Sequence, residues 1–271
     1  MNPKIFEPNN ELTDFVKCYW TLESSLEKTP VKNTIIPDGT MKLIFHYGDL
    51  YWHHPKNGES FLQPRCFLIG QLTKPYIVEP TGITGTFVVR FHPNGFSPFT
   101  DISIKDMENK PIPLKKLFGK EGEKLEQDIL EAKTTSQRIN IADTFLLGLL
   151  KSKKVKDRIV KSTIKTISQY KGLLSVNELS NQANLNRRVL ARKFSSNVGL
   201  SPKQLSKIIR LQTALRSLLH NEKKSLIDLT YENEYFDQSH FIKDFKEFTG
   251  MTPKEFYRED LKMSLIFDSK K

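Results

Sequence analysis

The chain has 271 residues, 38% of them hydrophobic, with a formal net charge of +11. Such a composition excludes a disordered or fibrous chain. Two cysteines are too few for a disulfide scaffold or a cysteine-based zinc site, and the longest apolar run, Phe145 to Leu150, is far short of a membrane span. The charge is uneven: residues 1–150 carry 17 Lys+Arg against 18 Asp+Glu, whereas residues 151–271 carry 25 against 13. A neutral half joined to a strongly basic half is the electrostatic footprint of a nucleic-acid module attached to something else.

At the N-terminus, MNPKIFEPNNEL has no apolar core of a signal peptide, so the expected location is cytoplasmic. From Asn33 to Pro93 short apolar runs alternate with turn residues. Pro37-Asp38-Gly39 reads as a turn, and strands are expected over Met41–Tyr47, Cys66–Ile69, Tyr76–Val78 and Thr84–Phe91. Several short strands at close spacing predict a small β-barrel or sandwich. After Pro113 the period changes, and Ile139, Ala142, Phe145, Leu146 and Leu149 share one face of a helix. Lys151-Ser152-Lys153-Lys154 reads as a linker. The expected organisation is therefore a β-rich sensing domain at 1–112, a helical segment at 113–154 and an all-α domain at 155–271, an α+β two-domain chain.

Seven helices are expected in the last part, over 155–171, 175–182, 186–197, 201–220, 225–232, 237–248 and 252–259. Ser175-x-x-Glu178, Ser201-Pro202-x-Gln204 and Thr252-Pro253-x-Glu255 match the capping box, in which a hydroxyl and a carboxylate or amide satisfy each other's first-turn N–H groups. Gly172, Gly199 and Gly250 stand where helices end. A pattern also recurs 51 residues apart: Leu190-x-x-x-Phe194 followed by Gly199-Leu200-Ser201-Pro202-Lys203 returns as Phe241-x-x-x-Phe245 followed by Gly250-Met251-Thr252-Pro253-Lys254. Duplicated helix-turn-helix units, at about 155–200 and 201–260 and joined by the long fourth helix, explain the repeat.

On the first repeated helix Leu190 and Phe194 define an inner face, which leaves Arg188, Arg192 and Ser195 on the other side. On the second, Phe241, Phe245 and Phe248 are inner, while Ser239, Lys243 and Lys246 are outer. Arg187, Lys193 and Gln238 flank these faces. An apolar inner face with a basic outer one suits a helix in the major groove, where arginine bonds guanine bidentately and lysine or serine reaches bases and phosphates.

Residues about 155–260 resemble the DNA-binding domain of AraC-type (AraC/XylS) transcriptional regulators. The stretch Ile227-Asp228-Leu229-Thr230-Tyr231, then Tyr235-Phe236-Asp237-Gln238-Ser239-His240-Phe241 and Phe245-Lys246-Glu247-Phe248-Thr249-Gly250-Met251-Thr252-Pro253, carries the resemblance. It implies two recognition helices entering successive major grooves, with base-facing positions at Arg188, Ala191 and Arg192, and at Ser239 and Lys243 beside Gln238. The family's turn glycines are replaced by Asn184 and Glu234, and glutamate takes a left-handed turn only at a cost. The first unit is expected to dominate binding. RNA polymerase, if the chain activates, and a second copy of the chain are the implied protein partners.

In the first half, Pro37-Asp38-Gly39, Leu43-Ile44-Phe45, Gly70-Gln71 and Val89-Arg90-Phe91-His92-Pro93 resemble a cupin-like N-terminal domain of some AraC-type regulators. The resemblance implies a small-molecule effector, for which Trp52, Tyr76 and Arg90 are candidate contacts. A metal-dependent enzyme using His46, His53, His54 or His92 is the competing reading. It is disfavoured because no spaced His-x-His precedes a glutamate and because adjacent His53 and His54 point to opposite faces of a strand. No cofactor or metal is expected. A third reading is an architectural DNA-binder without an effector.

Overall fold

Short runs of β-branched and aromatic residues form ten strands: β1 (Lys4–Phe6), β2 (Val16–Glu23), β3 (Asn33–Ile35), β4 (Lys42–His46), β5 (Tyr51–His54), β6 (Phe61–Leu62), β7 (Cys66–Ile69), β8 (Tyr76–Pro80), β9 (Gly85–Phe91) and β10 (Pro111–Pro113). They are seen in a computed structural model that describes residues 3–25, 31–150, 157–220, 235 and 237–258. The four strands expected from sequence are β4, β7, β8 and β9. All pairings are antiparallel, in a six-stranded sheet ordered β1-β2-β9-β4-β7-β10 and a four-stranded sheet ordered β3-β8-β5-β6.

All seven residues of β9 are buried because both faces of its sheet are covered. Phe87, Val89 and Phe91 face a core shared with helices α1 (Leu114–Glu131) and α2 (Thr135–Leu150). Thr86, Val88 and Arg90 face a cavity on the other side. The helical segment thus roofs the larger sheet. Ala142 and Leu146 lie in the core, with Ile139, Phe145 and Leu149 packed partly buried against it.

The remaining helices are α3 (Arg158–Gln169), α4 (Val176–Gln182), α5 (Arg187–Asn197), α6 (Pro202–His220), α7 (Gln238–Thr249) and α8 (Pro253–Arg258). The expected helix over 225–232, the 151–154 linker and Glu234 lie outside the described residues. Each expected capping box forms: Ser175 with Glu178, Ser201 with Gln204, and Thr252 with Glu255 exchange side chain–backbone bonds of 2.6–3.3 Å. Leu205, Ile208, Leu211, Leu215 and Leu218 of α6 run through one apolar core that also holds Leu190 and Phe194 of α5 and Phe241 and Phe245 of α7. The long helix therefore fixes both repeated helices in one body.

Candidate nucleic-acid interface and internal cavity

The helices α5 and α7 are built alike. Asn186 caps α5 by accepting from the Val189 N–H at 2.9 Å, and Asp237 caps α7 by accepting from the His240 N–H at 2.7 Å. Ahead of α5 the chain turns at Asn184, whose φ of 49° is the left-handed conformation that asparagine tolerates. Leu190, Phe194, Phe241 and Phe245 are fully buried, and Phe248 nearly so. Arg187, Arg188 and Arg192 are exposed on α5, with Ala191 and Ser195 partly exposed. Gln238, Ser239, Lys243 and Lys246 are exposed on α7. The structure thus brings the sequence-derived residues to the outer faces of two helices anchored on α6.

Lys193 is placed differently from expectation. It does not project beside the basic face but bonds Asp157, the N-cap of α3, at 2.6 Å. Burial alone would raise the Asp157 carboxyl, but the bonds from Lys193 and the Ile159 and Val160 N–H groups hold it below the usual carboxylate range. The counterpart on α7, one repeat later, is Asp244, which bonds Lys207 of α6 at 2.8 Å and approaches Arg210 at 3.7 Å.

A cavity of about 110 Å³ lies between the two sheets. Trp20, Ile44, Ile69, Leu72, Val78 and Val88 give it apolar walls. One end carries a polar chain: His46 bonds Thr86 at 3.1 Å and Gln63 at 3.0 Å, and Gln63 donates to the Tyr76 hydroxyl at 3.2 Å. Burial lowers the His46 pKa to about 4 and pushes Tyr76 up to about 12, so both are neutral at neutral pH. The other end carries charge. Asp38 accepts from Lys42 at 2.9 Å and from Arg90 at 2.8 Å. Burial opposes ionisation of Asp38, yet Lys42 and Arg90 outweigh it and hold the carboxyl well below its ordinary value.

Of the three candidate ligand contacts, Tyr76 and Arg90 line the cavity and Trp52 does not. On β5, Tyr51 and His53 turn inward and Trp52, between them, turns outward and is 41% exposed. Asp38, Lys42 and Gln63 were not anticipated, and His46 was expected only as a metal ligand in the competing reading. Their signal was available in part, since Lys42 interrupts an apolar strand just as Arg90 does. The histidines are not gathered: His53 bonds the Ile77 carbonyl, His54 bonds Ser60 and Glu79, and His92 bonds the Thr13 carbonyl. Among the described residues there is no group of three or more side chains able to hold a metal ion.

The turn bearing Asp38 also meets α6. Gln212 donates to the Pro37 carbonyl at 2.7 Å, and Ile36 is buried in the core of the helical domain. Gly39, at φ 71°, sits so close to Leu205 that an added Cβ would lie 2.8 Å from its methyl. Ile104 packs over Gly199, two residues past the end of α5.

Two capped, exposed helices on one connecting helix define a protein of the helix-turn-helix class. Residues 179–259 match a family model described as a helix-turn-helix domain, and residues 4–113 match one described as a domain of unknown function, DUF6597. The C-terminal region is thus similar to a helix-turn-helix domain. The chain is 32% identical over 92 residues to the Msm operon regulatory protein of Streptococcus mutans, covering 34% of this chain and 33% of that protein. It is 26% identical over 124 residues to an uncharacterized HTH-type transcriptional regulator of Haemophilus influenzae, covering 46% and 40%. The matches therefore span less than half of either relative. Among solved structures, ToxT from Vibrio cholerae is 15% identical, with a TM-score of 0.45 over 89% of this chain and 98% of that one. Among the described residues, no helix is long and apolar enough to cross a membrane.

Proposed function

We propose that the chain is a sequence-specific DNA-binding regulator of transcription whose first half responds to a small molecule. The observation that carries this reading is the pair of capped helices, each with an apolar face in a shared core and a basic or polar face in solvent. Arg188, Ala191 and Arg192 are assigned to base edges through the first unit, and Ser239 and Lys243 through the second. Arg187, Ser195, Gln238 and Lys246 contact the backbone or flank it. The two arginines make the first unit the main reader.

Effector sensing is assigned to the cavity between the sheets. Its volume suits a small ring, since an engineered cavity of about 150 Å³ admits benzene. Its occupant would touch Tyr76 and Arg90, and Arg90 shares Asp38 with the turn that seats α6. Occupancy that pulls Arg90 from Asp38 would shift that turn and with it the helix holding both DNA-reading units. A second copy of the chain and, for an activator, RNA polymerase complete the partners assigned to it.

The test is selection of bound duplexes from genomic DNA, then affinity for the enriched site against salt. Six or more phosphate contacts predict a loss of roughly a thousandfold between 50 and 200 mM salt. A flat dependence would sink the DNA reading. A metabolite screen by thermal shift separates a sensor from an architectural binder: a stabilising ligand that alters operator affinity supports the sensor. Turnover of that ligand with bound metal would instead make the first half an enzyme.

A further inference from the structure

Behind the Asp38–Arg90 pair, the sheet domain and the helical domain part around a second and larger space of about 1090 Å³. Asp38, Arg90 and Gln212 line both this cleft and the internal cavity, so they form the wall between the two. Ligand pockets run to about 1,000 Å³, so the cleft has room for a molecule much larger than the inner cavity takes.

Its charge is one-sided. Arg158, Lys161 and Lys165 of α3 are spaced to share a helix face, Lys171 follows in the next turn, and Arg216 of α6 also lines the cleft. Lys17 and Arg90 come from the sheet domain. The carboxylates lining the cleft are Asp14 and Asp38, and both are engaged, Asp14 with Lys161 at 2.7 Å and Asp38 with Lys42 and Arg90. Arg158, Lys165 and Lys171 have no carboxylate partner among the described residues. Burial, reinforced by Lys17 and Lys161, lowers the His92 pKa and keeps that imidazole neutral. The hydroxyls of Thr13, Ser162 and Thr213 also line the cleft but donate to the Asn10, Ile159 and Ile209 carbonyls, so recognition of an anion falls to the cations. A concave surface lined by one sign of charge focuses its potential and concentrates counter-ions. The cleft is not the recognition surface: Arg188 and Arg192 do not line it, and one of its walls is the sheet domain.

We propose that this interdomain cleft binds a small polyanion, a molecule carrying several phosphate groups. Both domains supply its cations, so the ligand binds this relative placement of the domains more tightly than any in which they separate. The consequence for DNA affinity rests on the regulator reading, whereas the binding itself does not.

The test titrates inorganic tripolyphosphate into the full chain by calorimetry, without divalent metal and at constant ionic strength, with orthophosphate and sulfate as comparators. One saturable site is expected, with tripolyphosphate held much more tightly than either comparator. Arg158→Glu and Lys165→Glu, both at exposed positions, should each weaken it by about tenfold, or 1.4 kcal/mol. Arg192→Glu should leave it unchanged. Melting temperature confirms that each variant folds, and Lys165→Met supplies a milder change in the same direction. Absence of a saturable site overturns the proposal. So does loss of binding in Arg192→Glu with retention in Lys165→Glu, which would put the polyanion on the recognition helices. Loss of DNA and tripolyphosphate binding together in Lys165→Glu would also overturn it, by assigning the cleft to DNA phosphate.

Discussion

The two repeated units share a scaffold and differ in chemistry. In each, the repeated helix is tied sideways to the first helix of its unit by an ion pair, but the charges are exchanged. In the first, Lys193 of α5 meets Asp157 at the start of α3; in the second, Asp244 of α7 meets Lys207 near the start of α6. The partners lie 36 and 37 residues apart, so the brace has survived while the residues carrying each charge have swapped. The outer faces have not been kept equivalent: two arginines on α5 stand where serine and lysine stand on α7. A duplicated fold fixes where side chains can point, and the pointing residues then diverge without cost to the core.

The largest effects should fall where the units are the same. Phe194→Ala and Phe245→Ala each empty a fully buried site in the shared core, and each should cost about 3–5 kcal/mol by urea unfolding. A wide gap between the two values would break the structural equivalence. The brace should show the first asymmetry. Asp244 is 2% exposed and receives a charged hydrogen bond, so Asp244→Ala should cost roughly 1.5–3 kcal/mol. Asp157 is less buried and also caps α3, and Asp157→Ala should cost about 1 kcal/mol. Equal costs would mean that burial does not separate them. Asp157 also has a pH signature. Its carboxyl is held low in the folded chain, so the stability it gives is present above the ordinary carboxylate range and is lost as pH falls through the folded value.

DNA binding should separate the units by kind of contact. Arg192→Ala should cost about 1–3 kcal/mol of operator affinity and relax preference at one base position. Lys243→Ala removes a base-facing residue that reaches its base through a single point charge, so it should cost roughly 1 kcal/mol or less and relax preference at its base position only slightly. If Lys243→Ala cost more than Arg192→Ala, the second unit would be the principal reader.

Much of this was legible in the sequence because the signals were local. Capping boxes, helix-ending glycines and a repeat offset need only nearby residues, and the helices they mark are those observed. The strand β2 was missed although it is the longest. Its residues do not alternate between polar and apolar, because Tyr19 faces the helix-roofed core while Cys18, Trp20 and Leu22 pack on the opposite face. A strand covered on both sides has no period of two to read. The cavity was half legible for a related reason. Arg90 stood out as a charge within an apolar strand, but its partner Asp38 sat in a turn, where aspartate has an ordinary local role. That the half-buried Asp38 meets Arg90, 52 residues away, is set by sheet register rather than by anything nearby.

The smallest expected effect concerns the turns that lead into α5 and α7. Asn184 already holds a positive φ, so Asn184→Gly should change stability by only about 0.5 kcal/mol and leave operator affinity unaltered. Asn184→Ala imposes the same backbone on a residue that disfavours it and should cost roughly 1 kcal/mol or more. The matching position in the second unit is Glu234, outside the described residues, where Glu234→Gly removes an acidic side chain three residues before the Asp237 cap. If the serine and lysines of α7 are what limit the second unit, Glu234→Gly should raise operator affinity only slightly. A tenfold gain, or about 1.4 kcal/mol, would move the asymmetry from the recognition helix to the turn.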